Sequence, residues 1–211
     1  MRYIALDIET TGQHYLGQDS LIAIGAAVGE RGQNGLFRIV ETHRWVVDLK
    51  RAPEQTWKGL WAERGYEQRC YDEFWVKNLV ALNLLQAQPD LYATQGAAIT
   101  AFSEFLGELQ DDGPYSLLFD TLLFDSVWLD YLLRLGSYAG LSRLRDGTGW
   151  VAAYEVDSLR FGGTGVQLGN WAALQQACDK LPSPGYSLET GPHDPAFDAQ
   201  TIFKQFAQVA K

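Results

Sequence analysis

Apolar positions in the first fifty residues fall in short runs that carry no helical period. Tyr3 to Ile8 is apolar and β-branched and stops before Gly12, which predicts a strand. Leu21 to Val28 predicts a buried second strand, Glu30 to Gly35 a Gly/Asn hairpin turn, and Leu36 to Val47 a third strand. Sequential strands on short turns make an antiparallel meander. Pro53 then opens a region rich in charge and tryptophan, with Trp57, Trp61 and Trp75 read as core or dimer contacts. From Asp72 the apolar spacing of Phe74, Trp75, Leu79, Leu82 and Leu85 is helical. So is that of Ala98, Ile99, Phe102, Phe105, Leu106 and Leu109, after a cap at Thr94.

Asp111-Asp112-Gly113-Pro114 breaks the pattern, and Tyr115 to Phe119 predicts a fourth strand. Asp125 to Leu135 reads as helix, Gly136 to Gly149 as loop, and Val151 to Val156 as a fifth strand. A Gly-rich stretch at Phe161 to Gly165, a helix over Trp171 to Leu181 and a Pro/Gly/Ser loop from Leu181 to Pro195 follow. The last helix, Ala196 to Val209, has the stripe Ala199, Ile202, Phe203, Phe206 and Val209. Three strands followed by strands alternating with helices predict an α/β fold: a mixed five-stranded sheet with helices on both faces. At 211 residues a single domain, 1–211, is expected.

Composition narrows the class. A hydrophobic fraction of 46% predicts a packed globule, and no apolar run is long enough to cross a bilayer or resembles a leader, so a cytosol-like compartment is expected. Cys70 and Cys178 lack ligand spacing and read as free buried thiols. A formal net charge of −9 argues against a long basic track for duplex nucleic acid. It leaves room for a protein that grips a few nucleotides through bound cations.

The acids then matter. On a strand Asp7 and Glu9 point the same way, opposite to Ile4, Leu6 and Ile8. Two neighbouring carboxylates on a buried strand repel each other unless a cation lies between them. Asp125 starts a helix, where the macrodipole alone would favour it, and Asp120, Asp130 and Asp157 are rivals. Asp194 and Pro195 suit the N-cap and first turn of the last helix. Asp198 sits one turn deeper beside an apolar stripe, where a carboxylate needs a partner or a metal. His193 precedes that helix on a loop that lets it swing.

Asp7-x-Glu9-Thr10-Thr11-Gly12, then Phe124-Asp125, then His193 with Asp198 five positions on, resembles in order the three motifs of the DEDDh 3′–5′ exonucleases. The resemblance spans nearly the whole chain. It implies a ribonuclease H-like fold and two divalent ions, Mg²⁺ or Mn²⁺, held by Asp7, Glu9, Asp125 and Asp198. It also implies His193 as general base, and Thr10, Thr11 and Gly12 against the 3′-terminal nucleotide of a single strand. Members often carry Asn shortly before the second-motif Asp, and here the residues are Asp120-Thr121-Leu122-Leu123. Asp72-Glu73-Phe74-Trp75 is similar to a segment of an exoribonuclease branch. RNA against DNA stays open, as does monomer against homodimer. An inactive binding module on the same fold and a metal-free carboxylate-pair hydrolase are the alternatives, and the second accounts for neither His193 nor Asp198.

Overall fold

The computed structural model describes residues 2–12, 20–111, 115–120, 122–135, 150–155 and 193–210. Strand β1 (Arg2–Thr10) pairs antiparallel with β2 (Leu21–Arg31), and β2 with β3 (Phe37–Val46). On its other side β1 pairs parallel with β4 (Tyr115–Phe119). Four strands run in the order β3-β2-β1-β4. β5 (Trp150–Glu155) continues the sheet at the edge, parallel to β4. The mixed α/β sheet and its antiparallel meander are therefore as the pattern predicts. The hairpin is shorter than its Gly/Asn content suggests, because β2 runs on to Arg31.

Alternation along β1 divides the core. Ile4, Leu6 and Ile8 face α4 (Gln95–Asp111) and α5 (Leu122–Leu135) in a cluster with Phe102, Leu106, Leu129 and Leu132. Ala5 faces the last helix, α6 (Pro195–Val209), in a cluster with Ala27, Phe37, Ala199, Ile202, Phe203 and Phe206. Asp7 and Glu9 share this second face by the strand period. Fully burying such Ile and Phe side chains contributes about 1.5–3 kcal/mol each.

A third cluster forms at the end of the sheet where β1 finishes. Short helices α1 (Trp57–Arg64), α2 (Gln68–Glu73) and α3 (Leu79–Gln86) bury Trp57, Trp61, Tyr71 and Trp75 against Ile22 and Val46. The three tryptophans are core residues. The continuous helix expected from Asp72 to Leu85 is instead broken by a 3-10 turn, Trp75–Lys77. Two side chains account for the break: Trp75 turns in to donate to the Thr10 carbonyl at 2.9 Å, and Asn78 Nδ2 donates to the Phe74 carbonyl at 3.0 Å. Helix α1 is a further element beyond those the apolar spacing predicts, and Thr56 accepts from Gly59 N–H at 3.1 Å as its cap. Helix α5 begins three residues before Asp125, which lies in its first turn. Cys70 is half-buried rather than fully buried, its thiol pushed up to about 12 chiefly by burial. The readings at Gly136 to Gly149, Phe161 to Gly165, Trp171 to Leu181 and the loop up to 192, with Asp157 and Cys178, lie outside the described residues.

Candidate active site

The seat of α6 builds the site. Gly25, Ala27 and Gly29 of β2 share one face, a period-two row of small residues. A methyl placed on Gly25 would stand 2.0 Å from the backbone C and O of Pro195. One on Gly29 would stand 2.0 Å from Cζ of Phe203. The helix therefore lies directly on the strand, and its N-terminus comes down over Gly25, whose cross-strand neighbour on β1 is Asp7.

Asp194 caps that N-terminus. Its Oδ1 accepts from Ala196 N–H at 2.9 Å and Phe197 N–H at 3.4 Å. Asp198, one turn on, accepts from His193 N–H through Oδ2 at 2.8 Å. That bond helps hold His193 at φ +66°, a left-handed conformation uncommon for a side-chain-bearing residue. The imidazole does not swing freely on its loop: it packs edge-on against Phe74, ring centres 4.7 Å apart, and its Nδ1 is 3.8 Å from Glu9 Oε1.

Glu9, His193 and Asp198 each offer one ligand atom, and these three atoms lie within 4.8 Å of one another. Asp7 and Asp125 stand outside this tight group but act on it. The Asp7 carboxyl is held well above the usual carboxylate range by burial first, then by Glu9, Asp198, Asp125 and Asp120. Glu9 is likewise raised by burial, then by Asp198, Asp125 and Asp194. Burial lifts Asp198 to about 6 against the opposing pull of the His193 N–H, and lowers the His193 imidazole. β1, α5 and α6 thus bring Asp125 and Asp198 into electrostatic range of both Asp7 and Glu9 at one end of the sheet.

The residues fit a hard divalent cation. Asp7 Oδ2 is buried with no hydrogen-bond partner, a cost that oxygen coordination would remove. Their repulsion and raised proton affinity have the same remedy. Thr10, Thr11 and Gly12 form the adjacent wall, built on backbone. Trp75 Nε1 donates to Thr10 O at 2.9 Å, Trp61 Nε1 to Thr11 O at 3.2 Å, and Thr10 Oγ1 to Gly12 O at 2.7 Å. A cavity of about 380 Å³ opens beside Glu9, Thr10 and Gly12 and is lined also by Cys70 and Phe74.

No family model and no curated protein matches this sequence. Solved structures do match. The chain shares its fold with exonuclease I. The zinc-bound complex of E. coli exonuclease I with single-stranded DNA matches 98% of this chain with a TM-score of 0.55 at 12% identity. Product-bound exonuclease I matches 99% with a TM-score of 0.52 at 11% identity. The E. coli enzyme in complex with a 5cy-dA13 oligonucleotide matches 99%, also at 0.52, with 14% identity. This chain spans 40–44% of the length of those chains, and at such identities the likeness is one of fold.

Three features at this sheet end lie outside the three motifs. Asp120, at the end of β4, acts on both Asp7 and Asp198, so one of the rival acids is also close by. Asp130 instead pairs with Arg134 at 2.7 Å on the exposed side of α5. Phe74 touches the imidazole from the Asp72-Glu73-Phe74-Trp75 segment, outside the three motifs. The small-residue row Gly25-Ala27-Gly29 was legible, since glycine at i and i+4 of a buried strand signals a close backbone approach.

Proposed function

We propose that the chain is a metal-dependent 3′–5′ exonuclease that shortens a single strand from its free 3′ end and releases nucleoside 5′-monophosphates. One observation supports this reading: Asp125 and Asp198, far from β1 in sequence, act electrostatically on both Asp7 and Glu9 at one sheet end, where a buried oxygen of Asp7 has no hydrogen-bond partner. A metal-free pair of catalytic carboxylates would leave that convergence without a purpose.

Asp7, Glu9, Asp125 and Asp198 are the ligands in this reading. Mg²⁺ or Mn²⁺ held there supplies relief of charge at phosphorus and makes water acidic enough to attack near neutral pH. His193 is the general base, taking the proton of the attacking water at its imidazole. Burial lowers its pKa, which keeps the ring neutral and able to accept a proton near pH 7. Phe74 and the Asp198–His193 backbone bond fix the ring's direction, so little orientation is lost on reaching the transition state. Thr10 and Thr11, their carbonyls tied to buried tryptophans, and Gly12, whose carbonyl accepts from Thr10 Oγ1, form a wall for the terminal nucleotide.

The complexes of exonuclease I with single-stranded DNA support DNA as the first substrate to test. The −9 charge fits a short grip on one strand better than a long duplex track. The test is a single strand labelled at its 5′ end, as matched DNA and RNA, with Mn²⁺, with chelator, and with a blocked 3′ end. Stepwise shortening abolished by both chelator and block is expected. A strand left intact under all conditions, or cut internally, would refute the assignment.

A further inference from the structure

The row of residues that crosses the sheet at Asp7 does not end at Gly25. The next cross-strand neighbour, on β3, is Arg44. Directly opposed residues of antiparallel strands share a face, so Asp7, Gly25 and Arg44 stand in line beneath the N-terminus of α6. Gly25 carries the helix backbone. Asp7 meets it from the β1 side, and Arg44 reaches it from the β3 side.

Arg44 is held at both ends of its guanidinium. Nη1 donates to Asp194 Oδ2, and Nη2 donates to Gln88 Oε1 at 2.6 Å. Gln88 is anchored in turn, its Nε2 donating to the Leu84 carbonyl at 2.9 Å. Asp194 is fully buried, and its two oxygens are divided between tasks: Oδ1 caps the helix, Oδ2 takes the arginine. The residue before it is His193, and the residue one turn after it is Asp198, joined to each other by the 2.8 Å backbone bond. A planar fork can set the azimuth of a helix end in a way that a point charge cannot.

We propose that Arg44 is a positioning residue for the site: acting through Asp194, it fixes where His193 and Asp198 stand relative to Asp7 and Glu9. The assignment of those residues to catalysis rests on the exonuclease reading, but the positional claim does not. Stability alone would explain an ion pair here. It would not explain why the arginine needs a second anchor on Gln88, just past α3, or why its partner is also the cap of the helix whose N-terminal end sets the two site residues.

The test reads the position of His193 directly. Its ring protons lie in the ring-current field of Phe74, and the chain has three histidines, so loss of a signal in His193→Gln assigns the resonance. The variants are Arg44→Lys, which keeps the charge and loses the fork, and the milder Gln88→Leu, which frees one end of the guanidinium. Both are compared with the parent protein by NMR, by thermal melting, and by kcat and KM on the labelled strand. A shifted His193 resonance in both variants is expected, larger in Arg44→Lys, with a kcat loss of about 10- to 100-fold and KM changed less than about twofold. Unmoved His193 resonances in folded variants would overturn the proposal, even where the melting temperature falls. If the parent protein cleaves no nucleic acid, the exonuclease reading fails, while the resonance still decides the role of Arg44.

Discussion

Replacing Gly25 by alanine tests the seat of α6 with a single methyl. The new Cβ would lie 2.0 Å from Pro195 C and O and 2.4 Å from Ala196 N, all backbone atoms that cannot rotate away. Ordinary carbon contacts begin near 3.5 Å, so the helix end must retreat by roughly 1.5 Å. Overpacking of this kind costs about 1–3 kcal/mol. For a chain of this size that is ~2–12 °C in melting temperature. Activity should suffer more than stability, because the same displacement carries Asp198 and His193 away from Asp7 and Glu9. A misplacement near 1 Å can cost ~100-fold in rate. Gly29→Ala is the control. Its methyl meets the tip of the Phe203 ring, 2.0 Å away, well down the helix from the site. That variant should lose stability with turnover largely kept, and Phe203→Leu should restore part of it. The assay pairs a thermal melt with Mn²⁺-dependent shortening of a labelled strand. Parent-like melting and turnover in Gly25→Ala would refute the close seating from which the site is built.

Further outcomes follow from the same geometry. His193→Ala should lower turnover by about 10²–10⁴-fold while a short oligonucleotide still binds, checked by single-turnover kinetics beside a binding titration. Trp75→Phe leaves the buried Thr10 carbonyl without the indole donor and should cost about 1–3 kcal/mol in urea unfolding. Folded-state pKa values above the ordinary ones for Asp7, Glu9 and Asp198 mean that the native state binds more protons than the unfolded chain. In chelator, stability should therefore fall as pH rises from about 4 through the Asp198 value of about 6, and saturating Mn²⁺ should reverse the loss. A melting temperature in chelator that climbs across that window would contradict the sign. Asp7→Asn should raise the melting temperature in chelator by removing one member of the repelling set, and should shrink the stabilisation by Mn²⁺.

Much of this was legible in the chain because the informative signals are local. Strand β1 announces itself by its apolar run, and the period of two then puts Asp7 and Glu9 on one face without further information. Asp194 and Pro195 mark the start of α6, which places Asp198 one turn in, as the structure bears out through the bond from His193 N–H. The features that escaped are long-range. Arg44 and Asp194 are 150 positions apart, and no local pattern distinguishes that arginine from its exposed neighbour Arg38, which pairs with Glu30. By spacing alone Phe74 is one rung of a helix from Asp72 to Leu85. The tertiary demand of Trp75 for the Thr10 carbonyl broke that helix and left Phe74 facing the imidazole. Local periodicity could not foresee a hydrogen bond to a strand 65 residues away.

The account stands or falls on whether the sheet end at β1 holds divalent cations. Anomalous diffraction from a crystal soaked in Mn²⁺ is the direct measurement. The account predicts manganese peaks enclosed by Asp7, Glu9, Asp125 and Asp198, with one of them bonded to the now partnerless Oδ2 of Asp7. Manganese found only elsewhere on the surface, with those four carboxylates bare, would contradict it.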